Sequence, residues 1–397
     1  MFLILIVIFL YRLRLIGKPR YVRWLKGCVE RAGILYIKVA QFMTLLYDVF
    51  DEELVDEFRA LHSSVKTEHI HFHLEGLVCS NVPIASGSVA QVYRGEIDGK
   101  DVAIKVIRPS VMRQLRGLRV IRSTLHLAQR FMPTYNNWFC RVFDFLKNTE
   151  DQVLVGREIE NLQHFREHMV DVIVPRVMPE YCSDTMIVME FIPDMMDIYQ
   201  VRDTQWTDKM VDAIAEAATH MIYRLGKVHS DMHPGNVYWS RKEDKLVLLD
   251  FGIVFDFSDY VRQRMIEMNV NYYLGRRMQA IENHMEILFT NWEDIKQHKD
   301  YTAEIMSVMQ RTFETSESFF SFKNEINAIN ARYNHIVAVM NPGVVNYEMF
   351  VVQVTQLTKL LEPSCNFYRM VIERAVEMTM TSLGREKTVA DEVYISI

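Results

Sequence analysis

Polar side chains that suit phosphoryl transfer recur in the second half of the chain. Asp231 lies in the stretch H-S-D-M-H-P-G-N, and Asn236 ends that stretch five residues later. A carboxylate at the first position can orient or deprotonate an attacking hydroxyl, and an amide at the second can reach a metal ion. Asp250 opens a D-F-G triplet fourteen residues after Asn236, where its carboxylate would hold Mg²⁺ bridging phosphate groups. We therefore interpret Asp231 as a catalytic residue, and Asn236 and Asp250 as metal ligands.

Two motifs in the first half of the chain complement these residues. Residues 85–92 read A-S-G-S-V-A-Q-V, the frame of the phosphate-binding loop G-x-G-x-x-G-x-V with alanine at two of the three glycine positions. The next predicted strand contains V-A-I-K and so Lys105, a cation suited to the α- and β-phosphates of a nucleotide. Such a lysine needs a carboxylate to hold it, and Glu158 on a following predicted helix is our candidate. The nucleotide-binding residues predicted here are Ala85, Gly87, Ser88, Ala90 and Lys105.

The order of the four motifs decides their interpretation. D-F-G alone is common by chance. The small-residue loop, V-A-I-K, the Asp–Asn pair and D-F-G in this order are typical of a protein-kinase-like site that uses ATP and Mg²⁺. A further β-rich run at 187–192 precedes a Pro-Asp turn, where a kinase fold has the hinge between its lobes. Met189 would line the back of the adenine pocket, and the backbone groups of Glu190 and Ile192 would bind the base.

Hydrophobic patterning predicts the elements that must position these residues. Short β-rich runs at 89–95 and 102–107, joined by Asp98-Gly99, predict a β-hairpin. Helices are expected over 34–50, 52–62 and 152–169, and strands over 172–177 and 186–192. After residue 200 the pattern is mainly helical, apart from a short strand–loop–strand at 228–255. These elements predict an α+β, protein-kinase-like two-lobed fold with an N-terminal helical extension.

Charge is distributed unevenly along the 397 residues. Residues 1–40 carry eight Lys or Arg and one Glu, net +7, although the whole chain is net −6. The basic front end predicts contact with an anionic lipid surface, and the small net charge of the whole chain argues against nucleic acid. Residues 102–143 hold eight Lys or Arg and no acid, with an apolar stripe of Leu115, Leu118, Ile121 and Leu125. We favour a solvated helix face there over a lipid- or partner-binding one.

Residues 1–11 form an unbroken apolar run, which Arg12 and Arg14 interrupt. A bilayer needs about 20 apolar residues, so this run alone is too short to span one. Three interpretations of this run remain: an interfacial anchor, the end of a membrane helix whose start is missing, and a helix buried in the fold. We favour membrane association. The five cysteines are scattered and form no C-x-x-C pair, which argues against structural zinc and a disulfide framework.

Several motifs together are similar to those of one known family. The chain resembles the UbiB family of aarF-domain-containing atypical kinases in H-S-D-M-H-P-G-N, in the alanine-containing loop, in Lys38-Val39-Ala40-Gln41 at the family's K-x-G-Q, in Asp48, and in L-E-P-S at 361–364. The resemblance implies ATP and Mg²⁺ as cofactors and support of ubiquinone (coenzyme Q) biosynthesis at a membrane, mitochondrial in a eukaryote. It also implies a quinone-like lipid or quinone-biosynthesis proteins as partners, and a regulatory role for Lys38 and Gln41 over the substrate side of the cleft.

Departures from that family's pattern concern the same regulatory helix and its contacts. Ala40 replaces a glycine, and Leu46 stands where arginine is usual. Gln152 and Leu154 occupy the positions of the two carboxylates in the family's E-x-D. We therefore expect a weaker contact between the Lys38 helix and the metal site than in family members.

These observations divide the chain into four segments. They are a membrane-associating segment (1–27), a helical extension (28–82), a kinase-like N-lobe with a basic helical insert (83–193) and a helical C-lobe (194–397). The leading function is an ATP-dependent atypical kinase or ATPase. One alternative is a catalytically weak nucleotide-binding scaffold, a pseudokinase, which the lost E-x-D favours. The other is a small-molecule phosphotransferase, because such enzymes also carry H-x-D-x-H-P-x-N.

Overall fold

The computed structural model describes residues 17–33, 35–37, 68–70, 72–87, 89–131, 153–315 and 341–382, with isolated positions between 139 and 150 and between 325 and 336. The helices described are α1 (Lys18–Ala32), α2 (Pro109–Gln129), α3 (Val155–His168), α4 (Ile198–Val201), α5 (Thr207–Thr219), α6 (Asp259–Tyr273), α7 (Arg277–Leu288), α8 (Trp292–Ile295), α9 (Lys299–Thr315), α10 (Pro342–Leu361) and α11 (Phe367–Ser382). The strands described are β1 (Leu77–Cys79), β2 (Ala85–Ser86), β3 (Ala90–Ile97), β4 (Lys100–Ile107), β5 (Val172–Ile173), β6 (Met186–Glu190), β7 (Met195–Met196), β8 (Lys227–His229), β9 (Val237–Ser240), β10 (Lys245–Leu248) and β11 (Val254–Asp256).

The chain forms two compact units. The first is formed by the described residues within Met1–Glu167, Val174–Pro193 and Asp250–Ile253. The second is formed by those within His168–Ile173, Asp194–Leu249 and Val254–Ile397. The D-F-G triplet therefore belongs to the first unit, although the chain reaches it from a strand of the second.

An antiparallel sheet in the order β1-β3-β4-β6, with β2 also paired to β3, forms the centre of the first unit. Asp98 and Gly99 join β3 to β4 with φ angles of 51° and 74°, as a type I′ turn requires. The predicted hairpin is confirmed. Its strands are longer than expected, because this two-residue turn continues the ladder to the pairing of Ile97 with Lys100.

One face of this sheet is the core of the first unit. Tyr93, Val102, Ile104 and Val188 belong to a single buried cluster there. Successive side chains of a strand point to opposite faces, so Lys105 projects from the other side of β4. The alternating direction of side chains along β4 thus places Lys105 on the face of the sheet that carries the polar site.

Helix α2 and all of α3 except its last residue belong to the first unit. Leu115 and Leu118 of the predicted apolar stripe are buried in α2, whereas Ile121 and Leu125 are half-buried. Arg113, Arg116 and Arg119 are exposed, and Arg122 forms a 2.6 Å ion pair with Glu150. The amphipathic helix is thereby confirmed. Helix α3 begins three residues later than the predicted 152–169 and ends one residue earlier.

The second unit combines small sheets with helices. Its strands pair in the order β5-β10-β9-β7, and β8 pairs with β11. The predicted single strand–loop–strand at 228–255 is therefore wrong, because four strands occupy that segment. The strand expected over 172–177 is limited to Val172–Ile173, because the chain leaves β10 there and Val177 forms an isolated bridge to Met189 of β6. Strand β6 ends at Glu190, two residues before the predicted end.

Several predictions fall outside the described residues. These are the apolar run 1–11, most of the helix over 34–50 with Lys38 and Gln41, the helix over 52–62, and Ser88. Among the helices that are described, none combines the length and the apolar character needed to cross a bilayer.

Candidate active site

Lys105 is the centre of a buried ionic cluster in the first unit. Its Nζ lies 2.7 Å and 2.9 Å from the two carboxylate oxygens of Glu158 and 2.7 Å from Oδ1 of Asp250. Lys105 and Glu158 are buried, whereas the Asp250 side chain is 42% exposed. The three donors of one ammonium can thus serve two carboxylates, one inaccessible and one open to solvent.

Burial and charge set the protonation of this cluster. Burial raises the pKa of the Glu158 carboxyl to about 7, against the opposing effect of the Lys105 ammonium. Burial alone would lower the pKa of Lys105, but the charges of Asp250 and Glu158 raise it above its usual value. Lys105 therefore stays an ammonium at neutral pH, while Glu158 titrates close to neutrality.

Helix α3 fixes the D-F-G segment as well as Lys105. The side-chain amide of Asn161 donates to the carbonyl oxygen of Phe251 at 3.0 Å, and the rings of Phe165 and Phe251 lie 4.8 Å apart. Asp250 has a φ of 57°, in the left-handed region, and accepts a 3.3 Å bond from the Gly252 backbone N–H. One face of the helix therefore carries the contacts that orient this turn.

The small-residue loop joins β2 to β3. Ala85 pairs with Val92, and the Gly87 backbone N–H donates to the Ala90 carbonyl oxygen at 3.0 Å. Ala85 and Gly87 are exposed, and Ala90 is buried. The described part of the loop is thus a closed turn at the end of the hairpin that also carries Lys105, and the Gly87 N–H is bonded within the turn.

The predicted hinge residues lie at the end of β6. Met189 is buried, and Glu190 and Ile192 are half-buried. The Glu190 backbone N–H donates to the Arg176 carbonyl oxygen at 2.8 Å. Of the two backbone groups of Glu190, only the carbonyl oxygen could therefore meet a nucleotide base.

The H-S-D-M-H-P-G-N stretch of the second unit is braced by its histidines. The Asp231 backbone N–H donates to Nδ1 of His229 at 3.2 Å, so Nε2 of that ring is the donor to the Leu249 carbonyl oxygen at 2.9 Å. Gly235 N–H donates to Nδ1 of His233 at 2.9 Å, which directs Nε2 of His233 towards Asp231, 3.6 Å away. A Cβ at Gly235 would lie 2.8 Å from the His233 ring, so this close approach requires glycine.

Asn236 and Asp231 are in direct contact within this stretch. The Asn236 amide nitrogen donates to the Asp231 carbonyl oxygen at 3.0 Å. Its amide oxygen is therefore the atom that could ligate a metal ion. Carboxylate and amide oxygens are ligands that Mg²⁺ accepts. The Asp250 carboxylate of the first unit and the Asn236 amide oxygen of the second each have that donor chemistry.

The ABC1 atypical kinase-like domain family matches residues 63–284, more than half of the chain. The chain belongs to this family. It is 25% identical over 327 residues to a protein of Erwinia tasmaniensis and 25% identical over 329 residues to one of Klebsiella pneumoniae subsp. pneumoniae, both named "Probable protein kinase UbiB". Each similarity covers 75% of this chain and 59% of the relative, so the chain spans about three fifths of the length of these relatives. A Mycobacterium tuberculosis protein solved in complex with erythromycin is similar at 16% identity and a TM-score of 0.49, over 71% of this chain and 73% of that one.

Membership of the ABC1 family confirms the predicted kinase-like fold, and the relatives' names confirm the resemblance to UbiB. The structure brings Lys105, Glu158 and Asp250 together in the first unit, and Asp231 and Asn236 together in the second. The roles assigned to these residues stay predictions.

Sequence reasoning missed three residues that brace the two parts of the site, two within the ABC1 match and one beyond it. Asn161 could have been found from its place three residues after Glu158 on one helix face. Arg108 directly follows β4, but nothing local indicates that it turns beneath the loop. Gln353 of α10, whose side-chain oxygen accepts a 3.1 Å bond from the Met232 backbone N–H, lies 121 residues from its partner and gives no sequence signal.

Proposed function

We propose that this chain is an ATP-dependent atypical kinase or ATPase. The observation that carries the proposal is the contact of buried Lys105 with both Glu158 and the D-F-G aspartate, Asp250. Kinases use this combination of groups to hold nucleotide phosphates and Mg²⁺. Lys105 would bind the phosphates, and Asp231 would orient the acceptor hydroxyl or water. We propose the Asp250 carboxylate and the Asn236 amide oxygen as ligands of Mg²⁺, which when bound would supply positive charge to the transferred phosphoryl group.

The second part of the proposal concerns the pathway that this activity supports. The two relatives are both named "Probable protein kinase UbiB". The motifs of this chain resemble that family, and the resemblance implies support of ubiquinone biosynthesis. We propose the same role here, at a membrane that is mitochondrial in a eukaryote. A quinone-like lipid or quinone-biosynthesis proteins would be the partners.

Thermal unfolding with Mg-ATP tests the nucleotide site. A ligand that binds only the folded protein stabilises it by about 2.7 kcal/mol at a hundred times its Kd. We expect this shift in the wild type and its loss in Asp250→Asn, which removes the proposed ligand charge. Asp184→Asn changes an exposed aspartate of the same unit and should keep the full shift. Equal shifts in all three proteins would show that Asp250 has no part in binding.

Turnover separates the kinase from the pseudokinase scaffold. The replacement of both E-x-D carboxylates by Gln152 and Leu154 favours the scaffold. An active enzyme should release ADP at a rate that Asp231→Asn lowers, because the proposed base is removed while the loop's backbone contacts remain. Stabilisation by Mg-ATP without any turnover would identify the scaffold.

The exposed side of α2 supports the proposed contact with anionic lipid. Helix α2 and the two residues after it expose four arginines and four large apolar residues, and no acid occurs between 109 and 131. The exposed residues are Arg113, Arg116, Arg119, Arg130, Met112, Val120, Leu127 and Phe131. The salt bridges in the described part of the chain include none of these arginines. The sequence favoured a solvated face, and exposed Leu127 and Phe131 beside the arginines support the lipid-binding alternative. Apolar and cationic groups together are typical of surfaces that bind anionic membranes.

Co-sedimentation with phosphatidylserine vesicles tests this lipid face. Each basic residue near such a surface contributes about 1 kcal/mol. The triple variant Arg113→Gln, Arg116→Gln, Arg119→Gln should therefore bind about a hundredfold more weakly at low salt. Its control removes three exposed cations of the second unit, Arg202→Gln, Arg241→Gln and Lys242→Gln. Equal losses in both variants would mean that net charge alone, rather than α2, governs binding.

A further inference from the structure

Arg108 is a fully buried guanidinium directly after β4. Its exposed fraction is 0%, and it is the largest of the fully buried side chains described. A guanidinium keeps its charge at all ordinary pH values, so burying it is unfavourable unless its donors are satisfied. The acceptors that surround it therefore show what it stabilises.

Most of these acceptors belong to the small-residue loop. Nε of Arg108 donates to the Gly87 carbonyl oxygen at 2.9 Å, and Nη2 donates to Oγ of Ser86 at 2.7 Å. The Arg108 backbone N–H donates to the Val89 carbonyl oxygen at 3.0 Å. Arg108 is thus bonded to both arms of the turn that Gly87 and Ala90 close.

Glu68 supplies the counter-charge. Its Oε1 lies 3.6 Å from Nη1 of Arg108 and accepts a hydrogen bond from Ser110. Its backbone N–H donates to the side-chain oxygen of Gln91 at 2.8 Å, and Gln91 donates to the Tyr93 hydroxyl at 2.9 Å. Glu68 is therefore held by two elements, which keeps the guanidinium in one orientation beneath the loop.

We propose that Arg108 is a positioning residue that sets the conformation of loop 85–90 for the phosphates of a bound nucleotide. The inference rests on the proposed nucleotide site. A loop ordered before binding loses less conformational freedom when the ligand arrives, so affinity rises without new contacts. Arg108 stands three residues after Lys105 on the same segment, so it also ties the loop to the strand that carries the phosphate-binding lysine.

The effect depends on the shape of the guanidinium more than on its charge, because Glu68 neutralises that charge. A lysine keeps the charge but cannot donate to separate acceptors in the fixed fork of an arginine. Arg108→Lys and Arg108→Gln should therefore weaken Mg-ATP binding by similar factors, about tenfold. The rate at saturating ATP should change less than about twofold, because Arg108 does not touch the reacting groups.

Hydrogen exchange and nucleotide binding test the inference together. Without nucleotide, the amides of residues 85–90 should exchange faster in both variants than in the wild type. The matched control is Lys100→Gln, which removes an exposed cation at the start of β4 and should alter neither quantity. Unchanged loop exchange, or lower thermal stability with unchanged Kd for Mg-ATP, would overturn the proposal.

A second variant covers the case in which Arg108 variants do not fold. Ser86→Ala removes one exposed hydroxyl acceptor of the Arg108 guanidinium. It should give the same changes in loop exchange and in the Kd for Mg-ATP, to a smaller extent. If neither quantity changes, the role of Arg108 is contradicted. A wild type that binds no Mg-ATP would refute the proposed function. In that case, hydrogen exchange would still show whether Arg108 orders the loop. If the wild type does bind Mg-ATP, faster exchange in the Arg108 variants with an unchanged Kd would reject the role of Arg108 in phosphate binding.

Discussion

Lys105 shares one ammonium between two carboxylates in different environments. Glu158 is 2% exposed and Asp250 is 42% exposed. The buried partner can only hold the lysine, whereas the open partner can also meet a ligand. This difference in exposure, rather than the three residue types alone, supports assigning Glu158 to positioning and Asp250 to metal binding.

The raised pKa of Glu158 predicts a pH dependence of turnover. Glu158 must be ionised to hold Lys105 firmly, and its pKa is about 7. Its ionised fraction therefore rises roughly tenfold between pH 6 and pH 8, and we expect ATP turnover to rise with it. Steady-state rates across this range measure the effect.

Two variants of α3 assign that pH dependence. Glu158→Gln cannot ionise, so its turnover should be low and should not rise through pH 7. Glu160→Gln changes an exposed carboxylate of the same helix and should keep the wild-type profile. If Glu158→Gln shows the same rise as the wild type, another group titrates.

At the scale of elements, α3 connects the lysine to the D-F-G turn. Glu158, Asn161 and Phe165 are spaced by three and four residues, so they lie on one face of the helix. That face bonds Lys105, the Phe251 carbonyl oxygen and the Phe251 ring. A displacement of α3 would therefore disturb Lys105 and Asp250 at the same time.

Asn161→Ala tests this connection. It leaves the buried Phe251 carbonyl without the amide donor, which costs about 1–3 kcal/mol of stability. We expect lower thermal stability and slower turnover, because Asp250 precedes the released carbonyl directly. Gln163→Ala on the exposed side of α3 is the control. Wild-type turnover in a destabilised Asn161→Ala would show that the bond is structural only.

Sequence patterning predicted those elements whose causes are local. The Asp98-Gly99 turn and the apolar spacing of α2 are properties of neighbouring residues, so the hairpin and the amphipathic helix could be anticipated. Val172–Ile173 is a short strand because the chain changes its pairing partner, which local propensity does not encode. The contact of Lys105 with Glu158 was anticipated by analogy with kinases, whereas Arg108 and Gln353 bond residues 21 and 121 positions away through tertiary structure alone.

At the scale of the whole molecule, the chain extends beyond the segment that the ABC1 family covers. The family match ends at residue 284, yet Gln353 of α10 bonds the backbone next to Asp231. Residues after 284 therefore take part in building the second unit around its H-S-D-M-H-P-G-N stretch. Truncation at the family boundary would remove that contact.

His284 of α7 predicts how the stability of the protein depends on acid. Its Nδ1 lies 3.2 Å from the Met268 sulfur of α6, and burial lowers the pKa of the imidazole to about 4. An unfolded histidine has a pKa of about 6.5, so its neutral form favours folding above that pH, and this contribution is lost as the pH falls towards 4. The full shift corresponds to about 2 kcal/mol lost by pH 5, and we expect about 1 kcal/mol because the side chain is only half-buried.

Urea unfolding at pH 7 and pH 5 measures this loss. The glutamine of His284→Gln does not titrate in this range. Between pH 7 and pH 5, the free energy of unfolding of this variant should therefore fall by about 1 kcal/mol less than that of the wild type. His298→Gln changes an exposed histidine of the same unit and should follow the wild type. If His284→Gln loses as much stability as the wild type, the imidazole binds protons equally well in the folded and unfolded chains, and the acid lability has its origin in other groups.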